Sequence, residues 1–122
     1  MAIENSQLTN LTALLTVPAG KTYAITSIMV CNTFSPNGID PQNHTASFDM
    51  HFLKNNQSRD NQITAVIREL EIPAGETFTF DSEKIILSEG DSVVFVAQGL
   101  HPDGQYAGNA TDLAANLSYL EV

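Results

Sequence analysis

From Ala46 to Phe52 the chain sets Ala46, Phe48, Met50 and Phe52 against Ser47, Asp49 and His51, apolar and polar by turns. A period of two sends successive side chains to opposite faces of an extended strand, so the first four point into a core and the other three, His51 among them, toward water. The same rhythm, rich in Val, Ile, Phe, Thr and Tyr, returns along the chain, and no stretch carries a convincing helical period.

Read this way, Asn10 to Thr16, Thr22 to Asn32, Ala46 to Phe52, Ile63 to Ile72, Phe78 to Phe80, Lys84 to Leu87, Ser92 to Ala97 and Leu113 to Glu121 are strands, about eight in all. Strict alternation in Thr22 to Asn32 groups Tyr23, Ile25, Ser27, Met29 and Cys31 on one face, and Ala24, Thr26, Ile28 and Val30 on the other. Its second half is apolar on both faces, as is Ser92 to Ala97, which predicts interior positions for both strands. Ala65 to Leu70 could be helical by propensity, but so short a helix without a cap does not hold itself together. Many short strands with turn signals between them predict an all-β fold, an antiparallel β-sandwich of jelly-roll or immunoglobulin-like topology.

Two corners repeat. Val17-Pro18-Ala19-Gly20-Lys21-Thr22 and Ile72-Pro73-Ala74-Gly75-Glu76-Thr77 share the order hydrophobe, Pro, Ala, Gly, charge, Thr. Proline fixes φ and glycine admits a positive φ, so each is a hairpin turn or a sheet-crossing corner, and the two are equivalent. Duplication and shared turn chemistry both account for the likeness. Ser88-Glu89-Gly90-Asp91 is a third tight turn. Three polar connections are longer: Thr33 to Thr45, Lys54 to Gln62 and Gly99 to Asp112. Two of these exceed the usual loop length of compact domains, and loops of that length are commonly functional or held by a partner, which makes them candidate contact surfaces.

A chain of 122 residues matches one domain, and 43 % hydrophobic against 16 % charged residues is the composition of a folded one. The formal net charge of −9 repels phosphate backbones and anionic lipid, which argues against nucleic acid and membrane as direct partners. The polar start, Met1 to Thr9, has neither the basic nor the apolar region of a secretory signal, and it reads as an N-terminal arm on a single sandwich of residues 10–122.

The residue types of catalysis are present without their patterns. His44, His51 and His101 are not at paired metal-ligand spacing, and no serine lies in a Gly-x-Ser-x-Gly elbow. Cys31, the only cysteine, sits in an apolar strand and reads as a small buried hydrophobe. Asp81 with Glu83 and Glu89 with Asp91 flank turns, where carboxylates cap backbone amides. Asp81, Glu83, Asp103 and Asp112 supply oxygen ligands but form no calcium-binding loop. The expectation is a protein with no catalytic residue, cofactor or metal, and therefore not an enzyme.

The Pro-Ala-Gly corners, the strand Tyr23 to Asn32, Lys84-Ile85-Ile86-Leu87, Glu89-Gly90-Asp91 and the closing Leu117-Ser118-Tyr119-Leu120-Glu121 together resemble small virion proteins of tailed bacteriophages, the β-sandwiches that decorate capsids or build neck and tail appendages. The resemblance implies a homo-oligomer, often a trimer, assembled in the bacterial host cytoplasm and located in the virion, where it binds a repeating lattice of a major capsid or other virion protein. The leading expectation is a capsid decoration, or cement, protein that stabilises the phage head. The alternative is a neck, tail or fibre accessory module acting as a carbohydrate- or receptor-binding adhesin, with His101, Tyr106 and Asn109 as candidate sugar contacts. For lattice contact the expected residues are Ala2, Ile3 and Leu8 in the arm, and Phe34, Ile39, His101 and Tyr106, apolar or aromatic groups set in polar loops.

Overall fold

The structure, a computed structural model, describes residues 2–34, 45–99 and 112–122. Its described residues form eight strands: β1 (Ala2–Gln7), β2 (Thr12–Thr16), β3 (Thr22–Asn32), β4 (Ala46–Leu53), β5 (Ala65–Ile72), β6 (Thr77–Ser88), β7 (Ser92–Gly99) and β8 (Leu113–Glu121). Two four-stranded antiparallel sheets result, sheet I in the order β1-β8-β3-β6 and sheet II in the order β2-β7-β4-β5. The ladders are nested: β1 pairs with β8, β2 with β7, β3 with β6 and β4 with β5. A ribbon of four such pairs, wrapped so that alternate pairs fall in alternate sheets, is a jelly roll, and the immunoglobulin-like alternative drops out.

The repeated corners make this wrapping possible. Each carries the chain from sheet II to sheet I, between β2 and β3 and between β5 and β6. Gly20 and Gly75 adopt φ of 78° and 80°, values that side-chain-bearing residues avoid. In both corners the charged residue's N–H donates to the proline carbonyl at 3.2 Å, Lys21 to Pro18 and Glu76 to Pro73. Each corner is latched to its neighbour in the ribbon. Val17 exchanges backbone hydrogen bonds with the β6–β7 turn, its N–H to the Asp91 carbonyl and its carbonyl from the Gly90 N–H, both at 2.9 Å. Buried Asn32 does the same for the second corner: its N–H donates to the Glu76 carbonyl at 2.9 Å, its carbonyl accepts from the Gly75 N–H at 3.0 Å, and its side-chain Nδ2 donates to the Ile72 carbonyl at 2.9 Å.

Between the sheets lies one apolar core, to which Ile25, Ile28, Val30, Leu113 and Leu117 come from sheet I and Leu14, Phe48, Met50, Val93 and Phe95 from sheet II. Fully burying side chains of this size stabilises by about 1.5–3 kcal/mol apiece. The Phe48 ring stands 5.9 Å from Phe95 and 6.1 Å from Phe78, tilted contacts that tie β4 to β7 and to β6 across the core. As their two-sided apolar pattern predicts, β3 and β7 are interior strands.

Four expectations are corrected. Residues 2–7, read from the sequence as part of an N-terminal arm, form an edge strand on β8. Phe78 to Phe80 and Lys84 to Leu87 belong to one strand, β6; it pairs Asp81 with Ser27 and Ile85 with Ile25, absorbing two extra residues where the sequence suggests a break. In β3 the register shifts between Ile25 and Ser27, so the inward set is Tyr23, Ile25, Ile28 and Val30. That bulge turns Met29 and Cys31 outward, leaving Met29 exposed and Cys31 only partly buried. Finally, His51 and Asp49 do project from the predicted face of β4, yet both are buried.

Candidate functional site

A sheet edge is a row of backbone donors and acceptors that another chain can pair with, and proteins usually blunt it with charge, proline or a bulge. Three edges of this sandwich are blunted. β2 is short and shifts register between Ala13 and Leu15. β5 carries Arg68, Glu69 and Glu71 and shifts register twice against β4. β6 carries exposed Asp81 and the irregularity opposite Thr26.

β1 differs. Its six residues pair with β8 in unbroken register, it has no proline, its one charge is Glu4, and every residue along it is exposed. No strand lies on its outer side among the described residues.

The outward face of sheet I adjoins this edge. Register places Ile3 opposite Ser118, Leu120 opposite Ala24, Ala24 opposite Ile86 and Met29 opposite Asn116, all on the side away from the core. Ile3, Met29, Ile86 and Leu120 are 62 %, 42 %, 55 % and 40 % exposed, half of the large exposed hydrophobic residues among those described, and Val122 follows directly on β8. Between them lie uncharged hydroxyls. Thr26, Ser27 and Ser118 form a cluster in which the Ser118 Oγ is 2.6 Å from the Thr26 hydroxyl and 3.0 Å from that of Ser27. On an acidic protein this is a face with little charge, the kind that can meet another surface without heavy desolvation cost.

The expected contact residues divide. Ala2 and Ile3 are exposed on the open edge. Leu8 is a correction: it is fully buried in the core, its N–H donating to the Leu113 carbonyl at 2.8 Å, because the chain turns inward where β1 ends. Phe34 is half-buried, with its N–H donating to the Asn32 Oδ1 at 3.1 Å. Ile39, His101 and Tyr106 lie outside the described residues, as does Asn109. Of the turn carboxylates, Glu89 and Asp91 cap amides as their positions predict: Glu89 Oε2 accepts from Gly20 N–H at 3.1 Å, and Asp91 accepts from Asn55 and Ser88 N–H groups, both at 2.9 Å.

A second polar centre, on the outside of sheet II, was not legible as a site. Asp49 is buried; its Oδ1 accepts from the Glu69 N–H at 2.6 Å and its Oδ2 from Arg68 Nη1 at 2.5 Å. Glu69 sits at φ 51°, the left-handed region, in the bulged part of β5, and the Asp49 bond holds it there. His51 is covered by the segment running up to Thr64. The Thr64 hydroxyl donates to the Asp60 carbonyl at 2.9 Å and accepts from the Asp60 N–H at 3.0 Å. Its single proton being used, it accepts from His51 Nδ1–H at 2.8 Å. That assignment leaves His51 Nε2 as a buried lone pair with no partner. Burial holds the imidazole below the usual histidine range; Arg59 pushes the same way, Asp49 opposes, and Arg68 adds to the lowering. The sequence signals that could have exposed this centre are that the chain's only arginines, Arg59 and Arg68, flank one short stretch, and that Asp49 and His51 share one face of a strand.

Comparison of the chain with protein-family models, with curated proteins and with solved structures gives no match.

Proposed function

We propose that this chain is a non-enzymatic virion structural protein that decorates and stabilises a phage head lattice, gripping the lattice protein with the open edge of β1 and the adjoining outer face of sheet I. The observation that carries the reading is the contrast between edges: three are blunted, and β1 is regular, fully exposed and almost uncharged. Strand addition to such an edge supplies affinity through main-chain hydrogen bonds, while Ile3, Leu120 and Ile86 offer apolar contacts beside it. Repetition over a lattice makes modest single contacts sufficient. The likeness of the corners and closing strand to small phage virion proteins supports the setting.

The test is binding of the purified protein to shells of its phage that have been stripped of accessory proteins. Binding should saturate at a ratio fixed by shell symmetry, and Ile3→Lys, which puts a charge on the open edge, should weaken it by about tenfold or more. Absence of saturable binding, or unchanged binding by the Ile3→Lys protein, contradicts the proposal.

A further inference from the structure

The outer side of sheet II carries a concavity of about 250 Å³, walled by Ser47, Asp49, Arg59, Asn61, Arg68 and Gln98. Its floor is set by the β4–β7 ladder, in which Ser47 pairs with Gln98 and Asp49 with Val96. The segment between β4 and β5 brings Arg59 and Asn61 over that floor, so both arginines of a chain with net charge −9 converge on one hollow.

The two guanidiniums are in different states. Arg68 is engaged: its Nη1 is bound to buried Asp49, and its Nη2 makes a loose contact of 3.5 Å with exposed Glu69. Arg59 makes no hydrogen bond or ion pair among the described residues. It is an exposed cation on the wall of a pocket that Asp49 and Glu69 also line, and neither carboxylate pairs with it. A planar guanidinium is matched by a carboxylate, which it binds through two parallel hydrogen bonds. A dianionic phosphate fits less well here, because Asp49, Glu69 and the acidic protein as a whole repel the second charge.

Size and lining narrow the ligand further. A volume of about 250 Å³ holds on the order of eight waters, and because covalently bonded atoms sit closer together than waters do, a ligand of about a dozen non-hydrogen atoms. Beyond the carboxylate partner, the wall offers a hydroxyl and two amides, those of Ser47, Asn61 and Gln98, which donate and accept as sugar hydroxyls require. An acidic peptide side chain would use the arginine and leave those three groups unmatched. We propose that this pocket binds one unit of a sugar acid, a hexuronate, with its carboxylate on Arg59 and its ring hydroxyls on Ser47, Asn61 and Gln98.

The site lies on the sheet opposite the lattice-binding surface and does not depend on that reading. The test is a titration of the intact protein with D-glucuronate and D-galacturonate, followed by heteronuclear NMR and calorimetry, with D-glucose and acetate as controls. At least one uronate should bind saturably, shifting the resonances of Ser47, Asn61 and Gln98, and it should bind more tightly than either control. Arg59→Gln should weaken it by about tenfold or more while melting like the parent, since Arg59 holds nothing else in place, and Arg59→Lys should fall between. Gln98→Leu provides a second loss that leaves the charge intact. The proposal is overturned if neither uronate saturates, if acetate binds equally well, so that only a bare charge is read, or if Arg59→Gln binds like the parent.

Discussion

Gly90 cannot carry a side chain without displacing Asn55: a Cβ built there would lie 2.3 Å from the Asn55 Cγ and 2.7 Å from its Cβ. Gly20, at nearly the same positive φ, faces open space. Substitution by alanine should therefore cost about 1 kcal/mol at Gly20, the backbone term alone, and about 2 kcal/mol or more at Gly90, where the Asn55 side chain must also move. Chemical denaturation of the two variants gives the comparison. His51 makes a pH-dependent prediction. Because its folded pKa is lowered, the unfolded chain takes up the proton first as pH falls. Its contribution to stability is whole above the unfolded value of about 6.5 and is lost as pH falls from there toward the folded value. Denaturation midpoints measured from pH 7.5 to 5 should fall for the parent and fall less for His51→Leu. No local pattern signals this, since alternation sets which face of β4 His51 takes but not that a later segment folds over it.

At the scale of the element, β1 and the residue that follows it behave oppositely. Ala2 to Gln7 bury no side chain, and what hydrogen bonding to β8 gains, roughly 0.5–1.5 kcal/mol per bond, ordering the chain largely takes back at about 1–2 kcal/mol per residue. Deleting residues 2–7 should shift the melting temperature by no more than about 5 °C. Leu8→Ala should cost about 2–5 kcal/mol, because Leu8 is fully enclosed. Calorimetric melting of the two variants separates the edge from the core. These results also mark where sequence reading stops. The polar run of Ala2 to Gln7 has no apolar rhythm because neither of its faces is covered, so a pattern sensitive to burial passes over it. In β3 the bulge at Thr26 adds one residue to the count, and strict alternation then assigns Met29 and Cys31 to the wrong face.

For the whole molecule, the sandwich and the equivalence of its two Pro-Ala-Gly corners were legible, because period-two burial and turn chemistry are local. The nesting of β1 to β8 was not, since ladders between distant segments leave no local mark. Nor was the pocket on sheet II, assembled from Asp49, Arg59, Arg68 and Gln98 only when β4, β5 and β7 pair. The acidic charge belongs to this scale too: in the array we propose, molecules of this charge would meet least repulsion through the sparsely charged face of sheet I. The most direct measurement of the central claim is amide hydrogen exchange on the free and the shell-bound protein. Protection should rise along Ala2 to Gln7 on binding while β5, the blunted edge of sheet II, exchanges as before; unchanged exchange in β1 with new protection at β5 would contradict it.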